Sequence, residues 1–83
     1  MSEYLLMCRS LTYAQRSQRV LGRNGIYASL LRAPEELRGD GCGYALGLRE
    51  YRLRDVSGLL RDAGLPVGKL YRRTESGYEE SAL

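Results

Sequence analysis

The sequence predicts an α+β domain built in the order β-α-β-β-α-β, an antiparallel four-stranded sheet with two helices on one face. Three observations predict it. Short apolar runs bounded by turn residues alternate with amphipathic stretches of helical period. Asn24-Gly25-Ile26-Tyr27-Ala28 and Ala63-Gly64-Leu65-Pro66-Val67 are the same helix-to-strand junction, thirty-nine residues apart, so the chain divides into two similar halves. Its length of 83 residues suits one domain near the lower limit of what a lone apolar core can stabilise. Two such halves give the ferredoxin-like split, of strand order 4-1-3-2, in which strands one and three are neighbours.

Tyr4-Leu5-Leu6-Met7-Cys8 is a short apolar run of the kind that makes a buried strand. Ser10 then offers an N-cap hydroxyl, and Leu11, Ala14 and Leu21 fall near one helical face. Asn24-Gly25 ends that helix, since both residues tolerate a left-handed backbone. Residues 26–32 read as the second strand, and Pro34-Glu35-Glu36-Leu37 as a turn or a single helical turn. Tyr44 to Glu50 is the third strand. From Arg52 a second helix follows, with Leu53, Val56, Leu59, Leu60 and Ala63 at offsets 0, 3, 6, 7 and 10. Gly64 caps it, Pro66 breaks it, and Val67 to Arg72 is the last strand. The domain therefore spans residues 3–73, and the polar stretch 74–83 is expected to be a flexible tail.

Composition excludes much. Histidine is absent, which removes the commonest general base and metal ligand, and two cysteines alone cannot close a zinc site. The reading therefore calls for no metal and no cofactor. So small a chain has little room for a deep substrate pocket with its supporting shell, which favours a carrier or accessory protein over a self-sufficient enzyme. No basic leader and no membrane-length apolar run is present, so the expected location is the cytoplasm and the expected state of both cysteines is reduced. The net charge of +3 is modest, and Arg16, Arg19 and Arg23 recur at the spacing of a solvated helix face.

The chemically distinctive segment is Gly39-Asp40-Gly41-Cys42-Gly43. Gly41 and Gly43 leave the Cys42 sulfur uncovered and can turn backbone N–H groups towards an anion. In the predicted topology Cys8, Cys42 and the helix start at Ser10 share one sheet edge, where unpaired N–H groups favour a thiolate. Only the thiolate is a good nucleophile. Taken as residues alone, Cys8 reads first as a small core residue, and the glycine turn reads equally as a tight connection in which its cysteine is incidental.

The order of motifs resembles a family of small selenium/sulfur carrier-like proteins. Tyr4-Leu5-Leu6-Met7 with Ser10 and Ala14, the Leu21 to Gly25-Ile26 junction, Pro34, and Cys42-Gly43 leading into Tyr44-Ala45-Leu46 carry the resemblance. It implies that Cys42 is a carrier thiol holding sulfur or selenium as a persulfide or selenosulfide, with protein donors and acceptors as partners. It further implies that Cys8, if close, could resolve the loaded form. The chain departs from the family's pattern twice: Cys8 stands where an aromatic is expected, and Glu35-Glu36 where a basic residue is expected.

The alternative is a binding module. Gly43-Tyr44-Ala45-Leu46 partly mimics the signature strand of the RNA-recognition motif, yet the alternation sends Tyr44 into the core with Leu46 and Leu48, away from a base. The same alternation puts Ala45 and Gly47 on an open sheet face, with Tyr4 or Tyr71 nearby, for a protein partner or a second copy of the chain. An ACT-like small-ligand module shares the strand order and is the third reading.

Overall fold

The structure, a computed structural model, describes residues 3–38, 43–49 and 53–81. In chain order these form β1 (Glu3–Met7), α1 (Leu11–Arg23), β2 (Ser29–Arg32), α2 (Glu35–Arg38), β3 (Tyr44–Arg49), α3 (Leu53–Asp62), β4 (Leu70–Thr74) and β5 (Gly77–Ser81). They build an α+β domain with one antiparallel sheet of order β2-β3-β1-β4-β5. β1 and β3 are neighbours, with Met7 opposite Ala45 and Leu6 opposite Leu46.

The sheet has five strands, not the four expected, and half of the stretch expected to be a polar tail supplies the fifth. Thr74 pairs with Gly77, which leaves Glu75-Ser76 as a two-residue hairpin turn. Such turns usually carry Asn-Gly or Asp-Gly, so the sequence signal was missing. Gly77 takes the unusual backbone instead, at φ 141°. Arg72 and Glu79 then pair across the hairpin at 2.9 Å, and Tyr78 packs inward.

Both helix ends anticipated from the repeat are Schellman caps. The amides of Ile26 and Leu65 donate to the carbonyls of Leu21 and Leu60, each at 2.9 Å. Gly25 and Gly64 sit at φ 76° and 74°, the left-handed conformation this motif needs. Each cap drives a buried pair, Leu21 with Ile26 and Leu60 with Leu65, into the main core. That core lies between the sheet and the two long helices, around Leu6, Leu21, Leu46, Val56, Leu60 and Leu70. Leu11 and Ala63, expected on the apolar helix faces, are exposed.

By contrast, Gly22 and Gly58 lie within α1 and α3 at ordinary helical backbone, and a methyl group at either meets nothing within 4 Å. Gly22→Ala and Gly58→Ala are each expected to stabilise the fold by roughly 0.5–1 kcal/mol, because alanine loses less backbone entropy. Urea midpoints that fall below wild type for both would contradict this.

The opposite sheet face is not uniformly open. α2 crosses part of it, and Ala33 and Leu37 meet Leu5, Met7, Leu31, Ala45 and Tyr78 in a second small cluster. Ala45 is consequently fully buried, and Tyr4 lies in the main core on the helix side. Of the residues expected on an open face, Gly47 and Tyr71 remain partly accessible. The one-turn α2 is what the period-2 pattern of β3 could not foretell.

Candidate functional site

The end of β1 meets the start of β3. Met7 is the last residue of β1, and the next amide, that of Cys8, donates to the carbonyl of Tyr44 at 3.2 Å. The Cys8 thiol is half-buried against the main core and donates to the Leu6 carbonyl at 3.5 Å. Two residues on, Ser10 is the N-cap of α1. Its hydroxyl accepts from the Tyr13 amide at 3.2 Å and its carbonyl from Ala14 at 2.9 Å, so capping occupies the groups that nucleate the helix here.

Gly43 closes the other side of this edge. Its carbonyl accepts from the Ala33 amide at 2.6 Å, which extends the β2–β3 ladder by one residue. Cys8, Ser10 and Gly43 are thus gathered at one end of the sheet. Cys42 and Gly41, the other two predicted site residues, lie outside the described residues.

Two cations that sequence reasoning missed stand beside Gly43. A side chain at that position would begin 3.8 Å from Arg32 Nε and 3.8 Å from Arg38 Cδ. Arg38 is held there by a hydrogen bond from its Nε to the Ala33 carbonyl at 3.1 Å. Arg32 lies over the Tyr44 ring, its guanidinium carbon 5.4 Å from the centroid, in cation–π contact. Glu35 and Glu36 follow Pro34 where a basic residue was expected; Arg32 and Arg38 bring positive charge beside Gly43 instead. Arg32 stands opposite Tyr44 in the β2–β3 register, a pairing that the sequence does not announce.

The register also keeps Tyr44 on the helix side of β3, with Leu46 and Leu48 in the main core. A ring so placed and covered by Arg32 does not present its face for base stacking from the open side of the sheet. No described helix is long and apolar enough to cross a membrane.

A small α+β domain that brings a cysteine and the glycine of a Cys-Gly pair to one sheet edge defines the class of protein. Residues 3–72 match the model of the family described as "Putative Se/S carrier protein-like", and the chain belongs to that family. No curated protein and no solved structure matches the chain.

Proposed function

We propose that this protein carries sulfur or selenium between proteins in the reducing cytoplasm, with Cys42 as the carrier thiol on a ferredoxin-like frame extended by one edge strand. Family membership over residues 3–72 carries the reading. The site's geometry supports it. Gly43 is joined to Cys42 by one peptide unit, about 3.8 Å between Cα atoms. Arg32 and Arg38, whose side chains approach Gly43, are cations that would favour a thiolate at the neighbouring residue in the sequence.

In the reaction the Cys42 thiolate attacks the outer sulfur of a donor protein's persulfide. The donor's S–S bond breaks, its cysteine leaves as a thiolate, and Cys42 becomes the persulfide. An acceptor thiolate takes the same atom by the same step in reverse. Alternatively the Cys8 thiolate attacks the inner sulfur, forming a Cys8–Cys42 disulfide and expelling hydrosulfide. A dithiol reductant then restores both thiols. Selenium follows the same electron count through a selenosulfide. Gly41, Gly43 and the Ser10 helix start serve as the surrounding anion site.

Incubation with a cysteine desulfurase and cysteine is expected to add one sulfur atom to Cys42, read by peptide mass spectrometry. Cys42→Ala should not load at all, and Cys8→Ala should load but release less hydrosulfide. Equal loading of Cys42→Ala would sink the carrier reading. Arg32→Gln with Arg38→Gln should slow Cys42 alkylation by iodoacetamide at neutral pH by about threefold or more, since nearby cations favour the thiolate. An unchanged rate would remove the arginines from the site.

A further inference from the structure

The part of the sheet face that α2 leaves uncovered holds a cavity of about 300 Å³, at the lower end of the range for small-molecule sites. Its floor is Leu5, Leu31 and Gly47, and Tyr27 and Tyr78 stand among its lining residues. Tyr27 is 78% exposed, an unusual position for so large a ring. At one end the lining becomes charged. Glu3 of β1 lies opposite Arg49 of β3, and its carboxylate pairs with Arg73 of β4 at 3.0 Å. Arg49 and Arg73 thus stand on the two strands that flank Glu3, and Ser29 is also in the lining. The Glu3–Arg73 pair is more than half exposed, so it is worth little and an incoming anion can compete for Arg73.

We propose that this cavity binds a small organic anion with a flat apolar body and a single carboxylate. The body lies over Gly47 between the tyrosines, and the carboxylate meets Arg49 and Arg73. Gly47 makes the room. A Cβ there would come no closer than 3.6 Å to Leu31 and Ser29, ordinary van der Waals contact, and a side chain built on it occupies the cavity. The proposal does not depend on sulfur transfer.

The test is titration of the ¹⁵N-labelled full chain with 2-naphthoate and, as its uncharged isostere, 2-naphthamide. Saturable shifts centred on the amides of Ser29, Leu31 and Gly47 are expected for the acid, with binding about tenfold weaker for the amide, the loss of one charge-assisted contact. Gly47→Val should abolish binding while keeping the wild-type spectrum elsewhere. Arg49→Gln, on an exposed side chain, should weaken the acid about tenfold and leave the amide unchanged. Failure of the acid to saturate, equal binding of acid and amide, or undiminished binding in folded Gly47→Val or in Arg49→Gln would each overturn the proposal.

Discussion

Gly68→Ala is expected to lower the melting temperature by roughly 10–20 °C, the result of about 2–3 kcal/mol lost in a domain of this size. The cause is a backbone collision. A methyl group built on Gly68 lands on the carbonyl oxygen of Met7, and it also crowds the Met7 carbonyl carbon. Neither atom belongs to a flexible side chain. The adjoining Lys69 carbonyl accepts the Met7 amide at 2.9 Å, so the two segments cannot part without breaking the pairing that leads into β4. Any relaxation must move the end of β1, and Cys8 with it. Faster alkylation of Cys8 should therefore accompany the lower melting temperature. Thermal unfolding followed by circular dichroism decides the matter. A midpoint within about 2 °C of wild type would show that the loop simply gives way.

The contrast with Gly22 and Gly58 explains what the sequence could reveal. All three glycines look alike on paper, and only the folded approach of Gly68 to Met7 separates them. Gly25 and Gly64 were legible because a local motif names them: each closes a helix of helical period just before an apolar residue. The antiparallel β1–β3 pairing was legible for a similar reason, since the order of elements constrains the strand order. β5 was not. Its strand has two glutamates, its turn lacks the usual residues, and its stability comes from pairing with β4 and from Tyr78 packing over a cluster made by four other elements.

Much the same division runs through the site. The approach of Cys8 to the start of β3 followed from the β1–β3 pairing. Arg32 and Arg38 did not, because Arg32 reads as the end of a strand and Arg38 as the end of a polar turn. Their meeting at Gly43 depends on a register and on the single turn of α2. Tyr27 and the arginines of the cavity are hidden in the same way. Glu3, Arg49 and Arg73 are far apart in sequence and adjacent only across three strands.

Leu46→Ala is expected to cost about 2–5 kcal/mol, the range for truncating a fully buried leucine. A chain of 83 residues has a total stability of about 4–12 kcal/mol, so roughly a sixth of it at the least is at stake. Leu46 has no exposed surface, lies opposite Leu6 on one side and Leu30 on the other, and faces the core shared with α1 and α3. The cavity it leaves is bounded by backbone ladders on both sides, so the sheet cannot collapse to fill it. Leu11→Ala provides the contrast. That side chain is 39% exposed at the start of α1 and should change stability by no more than about 0.5 kcal/mol. In urea, Leu46→Ala should shift the midpoint downward with an unchanged slope, since the surface exposed on unfolding stays nearly the same. A reduced slope would mean that the variant's folded state has already loosened. Equal midpoints for the two variants would place the core elsewhere. The distinction bears on function, because β3 carries Leu46 into the core three residues after the Gly43 turn that the carrier proposal needs held in place.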